Sequence, residues 1–216
     1  MEDFKCYAID FEGSLTTGIL EYGVVEISSK QGICAVQTHL CKNRREIPEE
    51  ERNCHGISAN QLDQCLDFSV YLPQFITWRS QNLFCSHNAI FEDSLLNYYC
   101  PVVFQAKTYL NYEKRCWGPW LDTYNLYRRC FLNRDNTLQV LIKMHHLEQL
   151  LFDLGKKLCP RTRNKYHCAL FDALACALLL LNFIKQKDFN SKTLAWLLQK
   201  SSSRELQQQL QQKTLF

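Results

Sequence analysis

The chain has 216 residues, of which 46% are apolar and 22% charged; this predicts one globular domain with a substantial core and room for an appendage, and excludes a disordered chain. Its net charge of +3 is too small to require a polyanionic partner and does not exclude one, because a local basic patch outweighs the sum. The apolar run ending near Ile184 is short of a membrane span and contains Asp172, which argues for a core helix rather than a membrane segment.

"CYAIDF" has the β-rich alternation of a strand, and 19–28 and 33–40 predict two more, separated by a turn at 29–32. Three early strands predict an antiparallel meander. The stretch 45–58 reads as a polar connection, with Ser58 capping a helix that begins "ANQLDQCL". "VYLPQFITWRS" predicts a helix with Pro73 in its first turn, 82–87 a short buried strand, and 91–99 a helix with Leu95, Leu96 and Tyr99 inward. Helices are predicted at 122–131 and 137–154, then a basic loop at 155–167, a helix from about 168 and another at 191–200. Strands, then alternating strand and helix, then helices predict an α/β sheet with helices packed on it. One globular domain is placed at 1–200, and the glutamine-rich 201–216 is read as a flexible tail.

Twelve cysteines are present and none forms a C-x-x-C pair. Zinc sites usually show paired spacing, and a secreted disulfide framework needs an export signal. The opening "MEDFKCYAIDFEG" has no apolar signal core. A cytoplasmic protein with reduced thiols is expected, many of them acting as small apolar core residues.

Three acidic spots carry the chemistry. Asp10 and Glu12 lie two apart on the first strand and so share a face. Two carboxylates on one apolar strand repel unless a cation lies between them, and hard ions such as Mg²⁺ and Mn²⁺ take oxygen ligands of this kind. The alternative is that one acid faces solvent at the strand's end. Glu92 and Asp93 open a helix just after a buried strand, where ligands collect in such sheets and where negative charge also suits the helix dipole. Asp172 is flanked by Phe171, Ala173 and Leu174, and a buried carboxylate needs a partner, a proton or a metal. His167 and Asp172 would lie about 140° apart on one helix. They converge only if His167 belongs to the loop before the helix; otherwise they are a surface histidine and a helix-start acid.

In order, "AIDFEG", "SHNAIFE" and "HCALFDALA" resemble the motifs of the DEDD exonuclease superfamily, in its histidine-containing, DnaQ-like branch. "LTTGILEYGVVEI", "IPEEERNCHGIS" and "LDTYNLYRRCF" resemble the connecting segments, so the likeness covers roughly residues 5 to 184. It implies a ribonuclease H-like mixed sheet with an antiparallel three-strand start and helices on both faces. It also implies two-metal hydrolysis of phosphodiesters by a 3′–5′ exonuclease that releases nucleoside 5′-monophosphates. Two cations about 3.5–4 Å apart activate the water and stabilise the leaving 3′ oxygen. Asp10, Glu12, Glu92 and Asp172 would hold two Mg²⁺ or Mn²⁺ ions, with Asp10 bridging both. His167, on a movable loop, would take the water's proton. The family's second motif usually ends in aspartate where this chain has Glu92; Asp93 is the fallback, turned about 100° away on a helix.

The resemblance places Gly13, Ser14 and Asn88 beside the terminal nucleotide. Lys157, Arg161, Arg163 and Lys165 concentrate before His167 and are read as neutralising strand phosphates, against a merely solvated loop. Phe11, Tyr22 and Tyr98 are among the aromatics on which bases could stack. The final "QQKTLF" resembles the peptide with which bacterial replication and repair proteins bind the DNA sliding clamp. Leu215 and Phe216 would enter an apolar pocket and Gln212 would hydrogen-bond beside it. The substrate expected is a single-stranded or frayed 3′ end, DNA favoured over RNA, in replication or repair. The alternatives are an RNA-trimming exoribonuclease and a catalytically silent nucleic-acid- or clamp-binding module.

Overall fold

The computed structural model describes residues 3–100, 117–131 and 135–202. β1 (Lys5–Ser14), β2 (Gly18–Ser28) and β3 (Gly32–Leu40) form the expected antiparallel meander. β4 (Leu83–Ser86) pairs parallel to the free edge of β1, and β5 (Trp120–Asp122) pairs parallel to β4. The sheet order is β3-β2-β1-β4-β5. α1 (Glu49–His55), α2 (Ala59–Leu62), a 3₁₀ turn at Phe68–Val70 and α3 (Leu72–Gln81) lie between β3 and β4. α4 (Ile90–Tyr99) follows β4, and α5 (Thr123–Cys130) follows β5. α6 (Leu138–Met144), α7 (Glu148–Leu158), α8 (Ala169–Lys185) and α9 (Leu194–Ser201) complete the described chain.

Strand alternation sorts β1 between two cores. Cys6 and Ala8 face one core, dominated by α8 through Leu170, Leu174, Leu178 and Leu179. Tyr7, Ile9 and Phe11 face the other, an aromatic cluster with Phe68 and Phe75 and with Leu95 and Leu96 of α4. Helices therefore cover both faces. Each fully buried leucine of α8 contributes about 1.5–3 kcal/mol of apolar transfer, which fixes this helix firmly across β1 and β2. Asp10 and Glu12 continue the Cys6–Ala8 row, so they emerge on the α8 side at the strand's end.

Several expectations change. The polar connection 45–58 contains α1, begun at Pro48 with Glu49, Glu50 and Glu51 in its first turn and closed by Gly56 in the left-handed region. The single helix expected at 137–154 is two, broken where His146 adopts a positive φ of 55°. α7 also takes 155–158 from the basic loop. The cap at Ser58 is present, its backbone N–H donating to Gln61 Oε1 at 2.8 Å. The described cysteines are all free thiols, and no described helix is long and apolar enough to cross a membrane. α9 runs through Ser201, and the remainder of the tail lies outside the described residues.

Candidate active site

The site forms where β1 ends, beneath the start of α8. In the β1–β2 register Asp10 stands opposite Gly23 and Glu12 opposite Glu21. Cross-strand partners share a face, so Gly23 leaves room above the sheet beside Asp10. The backbone of α8 occupies that room: a Cβ on Gly23 would lie 2.3 Å from Ala169 C and O and Leu170 N. This close approach brings Asp172, in the first turn of α8, over the β1 acids.

Glu12 and Glu21 face each other as like charges, which destabilises a strand pair unless one is neutralised. Arg163 supplies the neutralising charge. It is 7% exposed, and its Nε donates to Glu21 Oε1 at 3.1 Å while its Nη2 pairs with Glu21 Oε2. The same guanidinium donates to the carbonyl of His55 and, at 3.4 Å, to that of His167. Glu21 Oε2 also accepts the Ala169 N–H at 3.0 Å. One buried ion pair thus holds the loop before α8, the helix start and the end of α1 together.

His167 lies in that loop, outside the helix, at a positive φ of 61°. Its backbone N–H donates to Asp172 Oδ2 at 2.9 Å. A ring nitrogen of His167 and one carboxylate oxygen each from Glu12 and Asp172 lie within 4.8 Å of one another, the imidazole exposed and both acids buried. The loop the sequence suggested as movable is pinned at both its carbonyl and its N–H.

Glu92 and Asp93 diverge. Asp93 Oδ1 accepts the Trp117 N–H at 2.8 Å and Trp120 Nε1 at 2.9 Å, and Oδ2 accepts Asn97 Nδ2 at 2.8 Å. Its charge is absorbed in joining α4 to the segment before β5. Glu92 is buried, and its Oε2 has no hydrogen-bond partner among the described residues. Asp122 fixes the turn that presents α4: it accepts the N–H groups of Asn88 and Ala89 at 3.1 and 3.3 Å, and caps α5 through Asn125.

Burial, then the charges of Asp172, Glu12 and Glu92, pushes the Asp10 carboxyl well above the ordinary carboxylate range. Burial raises Glu12 to about 8, with Asp172 and Glu21 adding and Arg163 opposing. Burial likewise raises Glu92 to about 8, and Asp172 to about 7 against the pull of the His167 N–H. Mutually repelling, buried carboxyls with unpartnered oxygens on Asp172 and Glu92 fit a divalent cation, which supplies the missing positive charge.

The remaining sequence candidates fall around this centre. Gly13 sits at the bulge ending β1, where φ is +124° and a Cβ would lie 2.1 Å from the Gly18 carbonyl oxygen. Ser14 Oγ accepts the N–H groups of Thr16 and Thr17, both at 3.2 Å, so it closes the β1–β2 turn. Thr17 Oγ1 ties that turn to Glu51 of α1 at 2.9 Å. Asn88 is exposed with φ of 71°. Lys157, Arg161 and Lys165 are exposed. Arg163 differs from the expectation of a phosphate-facing cation, because its guanidinium is enclosed by Glu21 and two backbone carbonyls. Phe11 and Tyr22 are core residues, while Tyr98 is exposed. Gln212, Leu215 and Phe216 lie outside the described residues. Sequence reasoning missed Glu21 and Asp122, although a lone glutamate between Leu20 and Tyr22 on an apolar strand carries the same signal as Asp172.

The exonuclease family model, of ribonuclease T type, matches residues 9–180. A DNA polymerase III of PolC type from Thermotoga maritima is 26% identical over 190 residues, covering 85% of this chain and 12% of that protein. The chain therefore spans only a small part of the length of the curated relatives it matches. Among solved structures, exonuclease X in complex with 5′ overhanging duplex DNA is similar with a TM-score of 0.63 and 20% identity, over 89% of this chain and 99% of that chain. The nuclease domain of 3′hExo, a DEDDh family member, bound to rAMP, is similar with a TM-score of 0.56 and 16% identity, over 84% of this chain and 92% of that chain. These likenesses show a shared ribonuclease H-like fold.

Proposed function

Since the chain belongs to the exonuclease family, we propose that it is a metal-dependent 3′–5′ exonuclease that trims nucleic-acid ends to nucleoside 5′-monophosphates, with DNA favoured over RNA. The observation that carries this reading is the convergence of Glu12, His167 and Asp172, with donor atoms within 4.8 Å of one another. Asp10, Glu12, Glu92 and Asp172 are the residues to hold two divalent cations, Mg²⁺ or Mn²⁺. When bound, such ions activate the attacking water and stabilise the departing 3′ oxygen. Glu92 is preferred to Asp93 because Asp93 is engaged by Trp117, Trp120 and Asn97.

His167 accepts the proton of the attacking water at a ring nitrogen. Its exposure leaves the imidazole open to the incoming strand, and its N–H bond to Asp172 keeps the ring beside the carboxylates. Lys157, Arg161 and Lys165 neutralise phosphates of the strand, while Asn88 and the turn at Gly13 and Ser14 border the terminal nucleotide. A role in replication or repair is supported by the likeness to PolC-type polymerases. Clamp binding through Gln212, Leu215 and Phe216 rests on sequence alone; a pull-down comparing the full chain with one truncated before Gln212 tests it.

The deciding assay offers single-stranded DNA, single-stranded RNA and a mismatched primer end in Mg²⁺. Shortening from the 3′ end is expected, fastest on DNA, abolished by chelation, and reduced by about 10²–10⁴-fold in His167→Ala with Mg²⁺ binding retained. Faster RNA trimming overturns the substrate preference. No hydrolysis of any substrate makes the chain a silent binding module.

A further inference from the structure

The end of α8 remote from the acids carries an excess of the opposite charge. Lysines and arginines exceed acids only slightly over the whole chain, 25 against 22. Yet α5 and α9 contain no acidic residue. Over α5 and residues 185–201, Arg128, Arg129, Lys185, Lys187, Lys192 and Lys200 are accompanied by one acid, Asp188. Contacts gather these cations. Arg129 Nη1 donates to the Lys200 carbonyl at 2.6 Å, joining the C-terminal turns of α5 and α9. The connection from α8 to α9 is compact: the Asn190 N–H donates to the Gln186 carbonyl at 2.8 Å, and the Lys192 N–H to the Phe189 carbonyl at 3.0 Å.

An aromatic column stands at the middle of this patch. Phe183, buried at the end of α8, stacks on Phe189 at 4.3 Å between centroids and 12° between planes. Phe189 stacks in turn on the partly exposed Trp196 at 5.9 Å and 27°. The indole is therefore held rigid from beneath. Lys192 Nζ and Lys200 Nζ lie 5.6 and 5.7 Å from its ring centroid. Two ammonium groups brought to one ring repel each other, and among the described residues no carboxylate pairs with either. An anion relieves that repulsion. A π-face between two cations matches a strand that offers a base and its flanking phosphates, and an acidic peptide makes no use of the ring.

We infer that this cap of α5, α9 and the connection before α9 is a second nucleic-acid-binding surface, which holds the body of a strand whose 3′ end lies at the acids. The inference rests on the exonuclease reading and narrows its substrate class. Asp172 and Lys185 lie at opposite ends of α8, about 20 Å apart at 1.5 Å of rise per residue. That length corresponds to about six phosphates at 3.4 Å per charge along one strand. Strands longer than this engage both surfaces, and shorter ones engage the acidic centre alone.

The test compares a thymidine trimer with a thymidine strand of about 20 nucleotides. Hydrolysis of each by the full chain is followed in Mg²⁺, and binding of the fluorescent long strand is followed by anisotropy in chelator at several salt concentrations. The long strand is expected to have a KM at least about tenfold lower than the trimer. Combined Lys187→Glu, Lys192→Glu and Lys200→Glu should abolish that advantage, leave the trimer's KM at its wild-type value, and make the salt dependence of log Kd shallower by about 2. Glutamine at the same three positions serves as the second variant should charge reversal unfold the protein. Equal KM for both lengths in a chain that cleaves them, or an equal salt slope in variant and wild type, sinks this inference alone. Lysine-dependent binding by a chain that cleaves nothing sinks the exonuclease reading and leaves the surface standing. Variants that keep oligonucleotide affinity but lose affinity for a polyglutamate probe would assign the patch to an acidic protein and overturn the inference.

Discussion

Substituting Gly23 tests how the third acid reaches the sheet. The β-carbon of Gly23→Ala would meet the Ala169 and Leu170 backbone at 2.3 Å, whereas ordinary contact begins near 3.4 Å, so the start of α8 must retreat by about 1.1 Å. Backbone atoms of a buried helix cannot swing aside as a side-chain tip can. The retreat moves Asp172 away from Asp10 and Glu12 and stretches the bond from the Ala169 N–H to Glu21. A misplacement of about 1 Å at a reacting centre costs roughly 10²-fold in rate, and overpacking of this kind costs about 1–3 kcal/mol in stability. The assay is steady-state hydrolysis of a 3′-labelled oligonucleotide in saturating Mg²⁺, with a thermal melt of the same sample. Gly32→Ala is the control: φ there is +85° with no atom within 4 Å of the new carbon, so it strains the backbone by about 1–2 kcal/mol and leaves kcat unchanged. A folded Gly23→Ala protein with wild-type kcat refutes the reasoning.

Four further outcomes follow from the geometry. Glu92→Gln should reduce kcat at least about tenfold, whereas Asp93→Asn should keep kcat and lose about 1–3 kcal/mol through its disrupted bonds to Trp117 and Trp120; steady-state kinetics beside melts separate them, and the reverse pattern reassigns the second acid. Glu12 and Glu92 are raised to about 8 and Asp172 to about 7, so the native cation-free state binds more protons than the unfolded chain between roughly pH 4 and 8. Its stability is full at the acid end and declines as pH rises through 8; melting temperature in chelator should fall across that window and recover with Mg²⁺, and a rise in chelator counts against the carboxyl cluster. Charge reversal at Lys157, Arg161 and Lys165 should raise KM and weaken its salt dependence. Arg163→Glu instead leaves Glu21 buried and unpaired, at a cost of about 3–5 kcal/mol, visible as a lowered melting temperature.

The meander was legible because β1 to β3 are long and strongly apolar, and the acids of β1 because strand alternation is rigid. α1 escaped notice because Glu49, Glu50 and Glu51 present no apolar stripe and His55 is its only described buried residue. The break at His146 carries neither glycine nor proline, so nothing local announces it. β5 is three residues long, too short for any periodic signal. Arg163 was misread for a different reason: a run of lysines and arginines looks alike from sequence, and only the opposed Glu12 and Glu21 of the β1–β2 register determine which cation turns inward. The divergence of Glu92 and Asp93 follows from the 100° step of a helix, but which of them meets the tryptophans depends on packing far along the chain.

Glu21 and Arg163 are separated by 142 positions, and that span sets when a growing polypeptide can complete the ion pair beneath the centre. A ribosome-bound fragment ending before Arg163 already carries Asp10, Glu12 and Glu92, yet it lacks the cation that reconciles the facing glutamates and the loop that brings His167 to them. The centre's charge balance thus waits for the loop before α8 to emerge, so the order of synthesis itself places its completion late.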